Sequence, residues 1–335
     1  MLVSTSTPQV STLEDLLEPG VAAQLDRLDL LSRKVFAGKL PGERRSKRRG
    51  RSVEFEDYRP YVPGDDLRHL DWKIFARLDR FVLKIFREEQ DLSLHVLLDA
   101  SPSMLAAGGI DASERQSRPT SKLLWGARLA AALAYLGLAN NNRVTVAAFG
   151  GGAGFERLAP MRGRRNTERV ARFLIDRLRG AAAPAPSNPD ADFEDAARRF
   201  ARGTRDRGVL VLISDLLIPD SIESGLSYLS ASGAGGAGFD AVCVQTLAPG
   251  EIDPAGERSR GLTGDLRLTD IETGRPAEVT ISRELLRAYH TRLESHLERI
   301  RTACRARQIQ HILASTGEPP ERMLLDGLRR RRLIG

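Results

Sequence analysis

The chain has 335 residues, 41% hydrophobic and 28% charged, enough apolar content and length to exclude wholesale disorder and to fill a real core. Its formal net charge of +7 permits contacts with nucleic acid or acidic partners without requiring them. Two cysteines, Cys243 and Cys304, lie far apart in sequence, which excludes a disulfide scaffold and a thiolate zinc site.

Residues 1 to about 20 read as a loose Ser-, Thr- and Pro-rich tail that lacks the pattern of a secretion signal. Val21, Leu25, Leu28 and Leu31 then fall at helical spacing, so a tail and short helix are expected over 1–34. The basic run Arg44 to Arg51 holds six cations in eight residues. Two strand-like segments follow, Val53 to Tyr58 and Phe81 to Phe86. Between them Pro63-Gly64 signals a turn, and Asp65 or Asp66 is placed to cap a helix carrying Leu67, Leu70 and Ile74. Residues 35–91 are therefore read as a β-containing segment.

From residue 92 the pattern changes. Leu94 to Leu98, Val144 to Phe149, Val209 to Ile213, Ala241 to Leu247 and Ile309 to Ala314 are apolar runs of strand length that alternate with helical segments. Continuous hydrophobicity is what a strand needs when helices cover both faces of a parallel sheet. Leu123 to Ala139, apolar nearly all round, reads as a deeply packed helix rather than a membrane span, with Arg128 in its middle. Ser282 to Arg305 reads as an amphipathic helix with Leu286, Tyr289, Leu293, Leu297, Ile300 and Cys304 in one stripe. Residues 92–330 are thus expected to form a doubly wound α/β domain with a mostly parallel, Rossmann-like sheet.

The chemistry concentrates in His95-Val-Leu-Leu-Asp99-Ala-Ser101-Pro-Ser103, where an apolar strand ends in an aspartate followed by two hydroxyls at alternate positions. A second strand, Val209 to Ser214, ends at Asp215 in the same way. Ligands of open α/β sheets bind beyond the carboxyl ends of strands, where the strand order reverses. If these strands are neighbours, Asp99, Ser101, Ser103 and Asp215 converge as an oxygen-only set suited to a hard cation, with Mg²⁺ the expected ion. The plain alternative is that Asp99 and Ser101 cap a turn and Asp215 caps the next helix.

Asp99-Ala-Ser101-Pro-Ser103 with Ile213-Ser-Asp215 resembles the metal-ion-dependent adhesion site of von Willebrand factor type A domains. The string Tyr58-Arg-Pro-Tyr-Val-Pro-Gly-Asp-Asp-Leu-Arg-His-Leu-Asp-Trp72, with Ala76-Arg77 beyond it, is similar to the signature of the bacterial "domain of unknown function 58" family. This resemblance covers roughly residues 35–330. It implies a von Willebrand factor A-like fold, an interaction role and frequent coupling to AAA ATPases of the MoxR group. It also implies that Ser101 and Ser103 contact the metal directly, that Asp99 and Asp215 act through waters, and that one position stays open for a partner's carboxylate. Related domains add a threonine before a middle helix. This chain has Ala191 there, with Ser187, Asn188 or Asp190 as substitutes.

Other readings are weaker. The Arg44 to Arg51 run suits a nucleic-acid adaptor, yet no interleaved aromatics or nucleic-acid-binding motif accompanies it. Asp65, Asp66, His69 and Asp71 are read as structural. A phosphohydrolase using Asp99 as nucleophile would want a second carboxylate where Ser101 stands. No nucleotide loop or nucleophile elbow is present. The expectation is a non-enzymatic, cytoplasmic protein-interaction module.

Overall fold

The structure, a computed structural model, describes residues 10–30, 54–62, 70–87, 92–105, 121–181, 189–204, 208–217, 222–231, 239–254, 265–269, 276–280, 282–331 and 334. The chain divides into two compact units, residues 38–91 and residues 1–37 together with 92–335.

In the larger unit, two short helices come first, α1 (Leu13–Leu16) and α2 (Pro19–Leu25). Their Leu16, Leu17 and Leu25 are buried, so part of the region read as a loose tail is packed apolar surface. The Asp15 carboxylate holds α1 by accepting from the Ser11 and Thr12 amides, which lowers its pKa.

The smaller unit pairs β1 (Glu54–Pro60) antiparallel with β2 (Val82–Arg87), and α3 (Trp72–Leu78) lies between them in sequence. The cap of this helix is Asp71, not Asp65 or Asp66, which lie with His69 outside the described residues. Leu70 bridges Leu83, and Asp71 Oδ1 then accepts from the Lys73 and Ile74 amides. The structural reading of Asp71 is thereby given a definite job.

The larger unit continues with β3 (Ser93–Asp99), α4 (Lys122–Ala139), β4 (Arg143–Phe149), the two-residue β5 (Glu156–Arg157), α5 (Thr167–Gly180) and α6 (Pro189–Arg202). Next come β6 (Gly208–Ser214), α7 (Ile222–Ala231), β7 (Asp240–Leu247) and the short α8 (Pro249–Ile252). A separate hairpin, β8 (Asp265–Thr269) with β9 (Pro276–Thr280), precedes α9 (Arg283–Ala306) and β10 (Gln310–Ser315).

The sheet order is β10-β7-β6-β3-β4-β5, with every pair parallel except β4–β5. The chain leaves β3 toward β4 on one side and returns to β6 on the other, so the order reverses between β3 and β6. Alternate strand residues feed two cores, as a doubly wound sheet requires. Leu94, Val96 and Leu98 face α4 and α5, and Leu97, Leu210 and Leu212 face α6, α7 and α9. The architecture is therefore α/β with a mostly parallel central sheet.

Helix α4 is long and apolar enough to cross a bilayer by length and composition, but 83% of it is buried inside the fold. Gly126 lets it approach the sheet closely, since a Cβ there would stand 2.9 Å from Leu98 Cδ1. Of the stripe predicted along α9, Ile300 and Cys304 are buried, Leu286, Leu293 and Leu297 are half-buried, and Tyr289 is exposed. The two cysteines, distant in sequence, meet across β7 and α9 as buried free thiols that hydrogen-bond each other. That bond and burial push the Cys243 thiol well above its usual pKa.

Candidate functional site

The first turn after β3 is built by Asp99. Its Oδ1 accepts from the Ser101 amide at 2.8 Å and its Oδ2 from the Ser214 hydroxyl at 2.6 Å, which ties the ends of β3 and β6 together. Ser101 and Ser103 hydroxyls face each other at 3.0 Å, with Ser103 on the 3₁₀ turn Pro102–Leu105. Asp99 is fully buried, and Ser101 and Ser103 lie nearer the surface. Desolvation, and then the charge of Asp215, push the Asp99 carboxyl up to about 7. A buried carboxylate held this high gains from any cation that reaches it.

Asp215 is close enough to repel Asp99 electrostatically, but its own oxygens are engaged. Oδ1 accepts from the Leu217 amide at 3.2 Å, and Oδ2 accepts from Lys122 Nζ at 2.8 Å. Leu216 between them sits at φ 52°, a left-handed conformation unusual for leucine, and its amide donates to Ser214 Oγ. Backbone strain of this kind persists only where surroundings enforce it. The plain reading of Asp215 as the cap of the following helix does not describe this arrangement, since its carboxylate serves Lys122 and a local turn.

Lys122 went unnoticed in the sequence. It is completely buried and also donates to Glu251 Oε1 at 2.6 Å. Burial alone lowers a lysine pKa, yet Asp215 and Glu251 more than offset it and hold the ammonium above its ordinary value. The available signal was a lysine at the first position of an apolar helix, where the macrodipole disfavours a positive charge.

The opposite wall is backbone. Ala100 N donates to Phe149 O at 2.7 Å, and Gly150, at φ 80°, lies so close that a Cβ would come within 2.7 Å of Ser101 N. Buried Arg177 on α5 fixes this loop by donating to Ala148 O at 2.9 Å and to Gly154 O.

Among the described residues, no three His, Cys, Asp or Glu side chains gather as a metal-binding group, so an ion here leans on hydroxyls. The hydroxyls suit one. Adjacent octahedral ligands of Mg²⁺, each ~2.1 Å from the ion, stand ~3.0 Å apart, which matches the Ser101–Ser103 separation. The match concerns the Ser101 and Ser103 hydroxyls; Asp99 lies behind them with its oxygens on the Ser101 amide and the Ser214 hydroxyl, and Asp215 is a neighbouring charge committed to Lys122. Ser187 and Asn188, and the side chains of Asp190 and Ala191, lie outside the described residues, as does the Arg44 to Arg51 run.

Two comparisons with solved structures give low similarity. Protein BatB from Bacteroides thetaiotaomicron is 10% identical with a TM-score of 0.38, covering 71% of this chain and 98% of that one. A point mutant of the PilB minor pilin from Streptococcus sanguinis is 11% identical with a TM-score of 0.39, covering 76% and 66%. Neither carries an argument about fold or function. Uncharacterized proteins of Mycobacterium bovis and Mycobacterium tuberculosis are each 26% identical over 268 residues, covering 80% of this chain and 76% of theirs. The family profile described as "Protein of unknown function DUF58" matches residues 57–299, which span both units, and the chain belongs to that family.

Proposed function

We propose that the chain is a non-enzymatic protein-interaction module, a von Willebrand factor A-like domain that docks a protein partner at the carboxyl ends of β3 and β6. The observation that carries this reading is Asp99, buried, with a pKa near 7, directly behind two hydroxyls at octahedral spacing at the point where the strand order reverses. Ser101 and Ser103, with Asp99 behind them, would hold Mg²⁺, which would supply an electrophilic position for a partner's Asp or Glu. The residues do the rest. Asp99 fixes the turn through Ser101 N and links it to β6 through Ser214, and the Gly150 loop excludes side chains from one flank. The Ser101 hydroxyl reaches both the Ser103 hydroxyl and the Asp99 carboxyl, so the two hydroxyls and the carboxyl form one oxygen cluster.

The partner proposed from family resemblance is a MoxR-type AAA ATPase, and the buried free thiols agree with a reducing, cytoplasmic setting. The test is retention of such an ATPase from the same genome on the immobilised chain. Expected is retention in Mg²⁺, release by chelator and loss in Asp99→Ala. Retention indifferent to chelator and to Asp99→Ala overturns the metal-dependent docking.

A further inference from the structure

Lys122 is placed against two physical penalties. It opens α4, where a positive side chain meets the positive end of the helix dipole, and its ammonium is wholly removed from water. Packing does not call for it, because the next residues, Leu123 and Leu124, fill the same helix end with buried hydrocarbon. What it meets is Asp215 Oδ2 at 2.8 Å and Glu251 Oε1 at 2.6 Å. Glu251 is itself immobilised at α8, its second oxygen accepting from Ala248 N at 2.8 Å and its carbonyl accepting from the Tyr289 hydroxyl. The ammonium is therefore anchored from two sides.

We infer that Lys122 is the resident counter-ion of the site: it withholds Asp215 from an incoming divalent cation and leaves Asp99 as the carboxylate beside Ser101 and Ser103. This inference rests on the cation reading given above. Its consequence is chemical. An ion with a single anionic neighbour is held weakly, exchanges readily and keeps most of its attraction for a carboxylate arriving from a partner. Freeing Asp215 would satisfy the ion internally, raising metal affinity while lowering its pull on the partner.

The test is a Mn²⁺ titration of the full chain, with free ion read by electron paramagnetic resonance. It compares wild type, Lys122→Met, and Lys122→Met with Glu251→Gln, each with and without Asp99→Ala. The double variant removes one negative charge together with the positive one, which keeps the experiment informative if the single variant folds poorly. Both Lys122 variants are expected to bind Mn²⁺ about tenfold or more tightly than wild type, equivalent to ~1.4 kcal/mol, and to lose this with Asp99→Ala. Equal, Asp99-dependent affinity in all three proteins overturns the counter-ion role and leaves the site standing. Binding seen only in the Lys122 variants supports the role and removes the ion from wild-type docking. Absence of Asp99-dependent binding in every protein overturns both.

Discussion

His95 offers a sharp test of how this core is built. It lies in the middle of β3, 1% exposed, against Phe200 and Phe239 at ring distances of 5.7 and 4.9 Å. Neither ring nitrogen finds a hydrogen-bond partner among the described residues, nor does the hydroxyl of Thr145, its neighbour on β4. Burial, aided by the charges of Arg157 and Arg143, lowers the His95 pKa to about 3. The unfolded chain, with a histidine near 6.5, therefore takes up the proton first. Stability from this group is complete above pH 6.5 and is lost as the pH falls toward 3. Between pH 7.5 and pH 5 the loss amounts to about 2 kcal/mol. In His95→Leu, of similar volume, that share of the acid sensitivity disappears. At pH 7.5 the variant is expected to be within about 1 kcal/mol of wild type or more stable, since two desolvated nitrogens are gone. Urea unfolding followed by circular dichroism at both pH values measures the difference. An unchanged acid slope in the variant, or a loss above about 3 kcal/mol at pH 7.5, refutes the reasoning.

Gly150→Ala forces a side chain into a left-handed conformation and against Ser101, and should cost about 2–4 kcal/mol in the same urea assay; a cost below 1 kcal/mol contradicts the close approach. Arg177→Met removes two charge-assisted bonds, to the end of β4 at Ala148 O and to the loop at Gly154 O, and should destabilise by about 2–4 kcal/mol, with faster amide hydrogen exchange across Gly150–Gly154. Exchange in that loop unchanged from wild type would mean that Arg177 does not hold it.

Much of the fold was legible because parallel strands buried on both faces write themselves as unbroken apolar runs. Leu94 to Leu98 and Val209 to Ile213 could be placed, and as neighbours they put Asp99 near Asp215. Features set by partners distant in sequence were not legible. Lys122 meets carboxylates 93 and 129 residues away, and nothing local distinguishes it from a solvated lysine except its awkward place at a helix start. Cys243 and Cys304 meet only because α9 crosses β7's face. The stripe on α9 was correctly periodic, but periodicity does not say how deeply each turn of a helix is buried, and only its last turns are fully so. The cap of α3 was misplaced because three aspartates precede it and the Leu70–Leu83 bridge, a long-range contact, selects Asp71.

The central claim is that Asp99, Ser101 and Ser103 present one oxygen-lined position to a divalent ion. Anomalous diffraction at the manganese edge from crystals grown in Mn²⁺ tests it most directly. The account predicts a peak ~2.2 Å from both the Ser101 and Ser103 hydroxyls, with Lys122 still on Asp215 and Glu251. A peak elsewhere, or none at the ends of β3 and β6, would contradict it.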